Sequence, residues 1–257
     1  MKLGCLPYLN VRPLVYTLEK GGLPDGWELV YAPPSALAGM LDRGEIAAAP
    51  VSSFACFRNP DFNVCPEICI AADGPVKSVL LLSRVPVEKI ERVALDTSSL
   101  SGANMLRIIL NETYNLAPEY IHARPDSVSD MFIDADAAMV IGDPAMQCDK
   151  DGLFILDLAQ EWKKMTGLPA VFAVWAGKGI TDDLVTVLQE AKQKGMTMLQ
   201  EIVQTESARL GLPAGLCYDY LSNIIIYDMG EREKRGFETF REKARAHGLI
   251  SAAGARI

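Results

Sequence analysis

Val93-Ala94-Leu95-Asp96-Thr97-Ser98-Ser99-Leu100-Ser101-Gly102 is an apolar run that stops at a cluster of small hydroxyl residues and restarts at once as an apolar helix over Ala103–Leu110. The pattern recurs along the chain. Pro7-Tyr8-Leu9-Asn10 follows a strand over Lys2–Leu6. Pro50-Val51-Ser52-Ser53 follows a strand over Ile46–Ala49, and Gly142-Asp143-Pro144 follows one over Ala137–Ile141. Strands that end in polar turns and resume as helices predict an α/β architecture with a mostly parallel sheet covered by helices. The turns would line a cleft with neutral hydrogen-bond donors, which suits a small anion.

Working outward, the spacing predicts a helix from Asn10 to Glu19 with Pro13 in its first turn, where a missing N–H costs little. It predicts a strand over Trp27–Tyr31 and a helix over Ala36–Asp42. Ser78–Ser83, Glu119–His122 and Pro169–Gly177 read as further strands, and Ser127–Ile133 and Ala159–Met165 as helices. Beyond Gly177 the chain turns helical, over Asp182–Lys194, Met196–Leu210 and Glu231–Ala246, with Gly195, Gly211 and Gly248 as punctuation. One arrangement explains this order. Residues 1–82 and 175–257 form one lobe, residues 83–174 a second, and two crossings make a hinge with a ligand cleft between the lobes. The alternative is a single doubly wound domain.

At 257 residues, 49% apolar and 23% charged, the chain can fill two modest lobes. A net charge of −8 argues against nucleic acid as a partner. The longest apolar runs are strand-length, so no membrane partner is expected. Met1–Leu6 is too short for a signal peptide, and cytoplasmic residence is the expectation. The six cysteines and two histidines lack metal-site spacing and read as buried thiols, so no metal and no cofactor are expected. Ile224-Ile225-Ile226 would be lobe core or the seam of a homodimer.

Each candidate site residue has a plainer alternative. Asn10 could grip a carboxylate or a hydroxyl, or serve as a helix cap; Tyr8 could flank the pocket. Ser52 and Ser53 could donate to a ligand or cap the next helix. Lys77 reads as a solvated lysine beside Ser78, which could face the cleft. Thr97, Ser98, Ser99 and Ser101, ahead of a helix holding Asn104, could form an anion nest, or one hydroxyl could merely cap that helix. Asp143 could cap the helix at Pro144 or accept from a substrate hydroxyl. Arg12 and Arg124 could supply positive charge or lie at the surface. No Walker A loop, dinucleotide fingerprint or Gly-x-Ser-x-Gly elbow is present. An enzyme built from this chain would need little side-chain base power.

The stretches Tyr8–Leu14, Ala49–Ser53, Asp73–Leu81, Asp96–Ser99, Ile141–Ala145, Glu161–Lys163, Thr166–Pro169 and Phe172–Ala176 resemble, in order and spacing, the menaquinone-biosynthesis chorismate dehydratase family of the futalosine pathway. The resemblance spans almost the whole chain. It implies a two-lobed, periplasmic-binding-protein-like fold of type II with a two-crossing hinge. It also implies a cytoplasmic hydro-lyase with chorismate as substrate. It places Tyr8, Asn10, Ser52, Ser53, Ser78, Thr97, Ser98, Ser99 and Asp143 at the cleft, with Asn10 as the catalytic residue. Two other readings stay open: a cytoplasmic binding or sensor protein for a small carboxylate, and a related enzyme acting on a futalosine derivative.

Overall fold

The computed structural model describes residues 1–96, 99–123 and 127–250. β1 (Lys2–Cys5) is buried after its first residue. It leads through a tight turn at Leu9–Val11 into α1 (Arg12–Thr17), whose Pro13 occupies the first turn. β2 (Glu28–Tyr31) pairs in parallel with β1. α2 (Pro34–Asp42) then leads to β3 (Ala49–Ser52), α3 (Ser53–Arg58) and the long β4 (Asn63–Ala72). Past residues 73–78 come β5 (Val79–Ser83), β6 (Arg92–Asp96), α4 (Leu100–Tyr114), β7 (Glu119–Ala123), β8 (Ala137–Ile141), α5 (Gly142–Gln147), β9 (Phe154–Asp157) and α6 (Leu158–Thr166). β10 (Ala170–Gly177) follows, then α7 (Asp182–Thr197), α8 (Leu199–Leu210), α9 (Ala214–Asp219), β11 (Ile226–Asp228) and α10 (Glu231–Ala246).

The strands sort into β7-β6-β8-β5-β9 on one side and β11-β4-β10-β3 on the other, with β1-β2 beside the second group. The chain passes from the four-stranded to the five-stranded sheet between β4 and β5, and back between β9 and β10. The expected mostly parallel sheet is therefore corrected to a mixed one. β6 is parallel to β7 and β8, but β5 runs antiparallel to β8 and β9, and β10 antiparallel to β3 and β4. β5 and β10 arrive from the other sheet, so no helical crossover fixes them parallel to their neighbours.

Two further expectations change, and one open alternative is narrowed. The strand expected over Ile46–Ala49 lies over Ala49–Ser52 instead, so Pro50 is inside it. β3 is an edge strand, where a residue without an N–H is tolerated. Ile224-Ile225-Ile226 leads into and begins β11, which pairs antiparallel with β4, and Ile225 is buried in the chain's own core. Gly195 does not separate two helices. It lies inside α7, and a Cβ there would overlap the Pro13 carbonyl oxygen of α1.

The core continues between the sheets. Phe57 meets Phe237 and Phe240 edge-on at 4.8 and 5.2 Å between ring centroids, and Trp162 of α6 meets Phe240 of α10 at 5.5 Å. Such pairs add to their burial roughly 0.5–1.5 kcal/mol each. They join the C-terminal helix to a helix that packs on the five-stranded sheet.

The close approach at Gly195 holds α1, and with it the turn that carries Asn10. Gly195→Ala is expected to lower the unfolding free energy by about 1–3 kcal/mol, because the overlap is with backbone and cannot be relieved by a rotamer change. Urea denaturation checks this; an unchanged midpoint would contradict the packing described.

Candidate functional site

A cavity of about 250 Å³ lies between the two sheets. The Tyr8–Val11 turn, β3 and β10 form one side. The first turn of α4 and the β8–α5 junction form the other. Ser78, on the chain crossing, also faces it. Among the described residues no carboxylate, imidazole, amine, guanidinium or thiol lines it.

Hydrogen bonds cross the seam. The Ser101 hydroxyl, on α4, donates to the Phe172 carbonyl at 2.7 Å and accepts the Phe54 N–H at 3.3 Å. It also lies 2.7 Å from Ser52 Oγ. Within the five-stranded sheet, the Gly142 N–H extends the β5–β8 ladder by donating to the Ser78 carbonyl at 2.7 Å. The Leu9 N–H donates to Asp143 Oδ1 at 3.1 Å.

A second set of bonds organises the Asn10 side. Tyr220 is 1% exposed, and its hydroxyl lies 2.8 Å from Ser78 Oγ. Burial, the largest influence, raises the phenol's pKa so that it keeps its proton. Asn10 Oδ1 is buried without a hydrogen-bond partner. An orphaned acceptor costs about 1–3 kcal/mol until a donor arrives. Lys77 precedes Ser78 with φ 63, in the left-handed region. Its N–H is held by Asp157 Oδ2 at 2.7 Å, which fixes the turn that delivers Ser78 to the cavity wall. The Lys77 amine reaches outward to Asp219 at 3.3 Å.

Of the residues expected at the site, Tyr8, Asn10, Ser52, Ser78 and Ser99 line the cavity. Ser99 also caps α4 by accepting the Gly102 N–H at 3.2 Å. Thr97 and Ser98 lie outside the described residues, as does Arg124. Two expectations are corrected. Ser53 is fully buried and donates to the Val171 carbonyl at 2.8 Å, because the junction between β3 and α3 turns its side chain away from the cavity. Asp143 neither lines the cavity nor caps α5; it receives Leu9 and faces Arg209 at 3.6 Å. Burial, first, raises its pKa, and the Leu9 N–H and Arg209 partly oppose that. Arg12 is held by Glu19 at 2.6 Å and Glu206 at 3.0 Å, away from the cavity. Asn104 donates to the Leu100 carbonyl. Ser101 completes the polar wall, and Tyr220 supports it from behind through Ser78. Tyr220 carries no sequence signal, because it reaches Ser78 only when β11 folds back onto β4.

Two sheets joined by two crossings, with a cavity between them that no charged side chain lines among the described residues, make a two-lobed α/β fold of the periplasmic-binding-protein kind. The aliphatic sulphonate binding protein SsuA of Escherichia coli superimposes with a TM-score of 0.65 at 14% identity, over 99% of this chain and 89% of that one. The chain belongs to the menaquinone biosynthesis family, which it matches over residues 1–246. It is 30% identical to a chorismate dehydratase of Thermus thermophilus over 93% of each chain. It is 27% identical to one of Campylobacter jejuni over 97% of this chain and all of that one.

Asp143→Asn keeps an acceptor for Leu9 and is expected to leave stability within about 1 kcal/mol, whereas Asp143→Ala strands that buried N–H and costs about 1–3 kcal/mol. The pH dependence has a definite sign. The folded state holds the Asp143 proton more tightly than the unfolded chain does. Its contribution to stability therefore falls as pH rises from the ordinary value near 3.8 through the raised folded value. Urea midpoints across that range should show wild type losing ground to Asp143→Asn as pH rises; the opposite trend contradicts a desolvated carboxylate.

Proposed function

We propose that the protein is a chorismate dehydratase, a hydro-lyase that removes water from chorismate to give 3-[(1-carboxyvinyl)oxy]benzoate for menaquinone biosynthesis. The observation that carries the reading is the interlobe cavity, with no charged side chain among its described lining, that joins Asn10, Ser78 and the first turn of α4, in a chain of this family. Its volume lies just below the range of roughly 300–1,000 Å³ usual for small-molecule pockets. That suits one substituted ring and is small for a purine-bearing futalosine derivative.

The reaction asks little of side-chain bases. The proton at the ether-bearing ring carbon is acidified by conjugation to the ring carboxylate. Its loss gives a delocalised dienolate, and departure of the neighbouring hydroxyl makes the ring aromatic. Negative charge grows on the ring carboxylate as the proton leaves. Fixed dipoles stabilise that charge better than mobile water does. The first turn of the fifteen-residue α4 ends at the cavity and supplies its partial positive end. Asn10 and Ser78, the latter held by Tyr220, position the substrate. With no basic side chain on the described wall, the substrate's own enolpyruvyl carboxylate takes the proton and returns it to the departing hydroxyl, so water leaves and nothing is left on the protein. Closure excludes solvent from the dienolate.

The lobe division belongs to the same proposal. Sheet membership favours crossings at residues 73–78 and 158–169, placing β5 with the lobe of β6–β9 and β10 with that of β3, β4 and β11. Cytoplasmic residence and a monomeric or homodimeric state are tested by cell fractionation and by sedimentation.

Mixing the protein with chorismate and following absorbance and product mass should reveal turnover. Asn10→Ala should lower kcat by about a hundredfold, the loss typical of one preorganised polar contact to developing charge, with the fold intact by circular dichroism. Tight binding of chorismate that is recovered unchanged would make the protein a sensor or carrier of a small carboxylate instead.

A further inference from the structure

A hydroxyl group has one proton and two lone pairs, so its partners limit what it can offer a ligand. The Ser101 hydroxyl has three partners. The Phe172 carbonyl can only accept, so it takes the Ser101 proton, at 2.7 Å. The Phe54 N–H can only donate, at 3.3 Å. With its proton committed, Ser101 can only accept from its third partner, and Ser52, 2.7 Å away, must be the donor. Ser52 stands just before α3 without capping it, so no amide of that helix takes up its lone pairs. Its oxygen therefore meets the cavity with lone pairs and no proton.

We propose that Ser52 is an acceptor-only contact that selects the ring hydroxyl of the substrate, and that Ser101 is the positioning residue that gives it this polarity. The proposal rests on the dehydratase reading and adds a subsite to it. A carboxylate finds no donor at Ser52 and meets a repulsive oxygen there. A hydroxyl finds its natural acceptor. The reaction removes that hydroxyl, so the product loses the one group Ser52 grips. The same contact that holds the substrate thus gives the product no hold and favours its release.

The contact belongs to ground-state recognition, because the hydroxyl hydrogen stays with the departing water. Its loss should appear in KM and not in kcat. The informative quantity is the product inhibition constant divided by the KM for chorismate, since a change in lobe closure alters both alike. Ser52→Ala should raise KM about fivefold, the size of one net neutral hydrogen bond, with kcat little changed and product inhibition the same. The ratio then falls about fivefold. Ser101→Ala frees the Ser52 proton to turn toward a carboxylate, and the ratio should again fall, by about threefold or more, this time with tighter product inhibition.

Thermal unfolding of both variants confirms that they are folded, and Ser52→Thr, which keeps a hydroxyl at this position, should retain most of the wild-type ratio. A ratio unchanged in Ser52→Ala, or one that rises in Ser101→Ala, overturns the acceptor assignment while the dehydratase reading stands. Absence of chorismate turnover by the wild-type protein overturns both.

Discussion

When two walls close around a cavity, every polar group that loses water at the seam must find a partner on the other side. In this protein those partners are mostly neutral. The Leu9 amide reaches Asp143, and Ser101 serves Phe54, Phe172 and Ser52 at once. Each bond contributes only about 0.5–1.5 kcal/mol net, but leaving any of them unmade costs more. The seam is therefore a choice between complete closure and opening to water. A half-open state would strand donors without wetting them.

Charge is placed to serve the same end. Glu19, Arg12, Glu206, Arg209 and Asp143 alternate in sign along one side of the molecule, each within 3.6 Å of the next. Glu206 and Asp143 are buried, and their neighbours compensate them. None of the five lines the cavity. A formal charge among the lining residues would hold a carboxylate in the ground state and the product as strongly as the transition state. Dipoles fixed at the end of α4 act most where charge grows, which is the requirement for catalysis as distinct from binding.

Much of this was legible in the chain. The run from Val93 to Gly102 shows its strand and its helix, and Ala137–Ile141 and Glu231–Ala246 have the boundaries expected. The turns at Tyr8–Asn10, Ser52 and Ser78 were visible because polar residues at strand ends stand out against apolar runs. What was hidden depends on pairing. β4 carries Pro66 and Glu67 and so lacks a strand pattern, yet it is central between β10 and β11. Strand direction across the hinge is set by which sheet a strand joins, and periodicity does not record that. Ser52 and Ser53 look alike in sequence, but the junction between β3 and α3 sends one hydroxyl to the cavity and the other into the lobe. The contact of Asp143 with Leu9 could not be read from the chain, because Leu9 is 134 positions away.

The step from a binding fold to an enzyme is short when the substrate brings its own base. A closing two-lobed protein already excludes water, fixes orientation and surrounds an anion with amides and hydroxyls. What chemistry adds is a demand on proton polarity, since a dehydration distinguishes a hydroxyl that must leave from carboxylates that must stay. A binding protein can tolerate hydroxyls that rotate to suit either. Here Phe172 fixes Ser101, Ser101 fixes Ser52, and the buried phenol of Tyr220 holds Ser78. The wall is set before the ligand arrives, so little reorganisation remains for the moment of reaction.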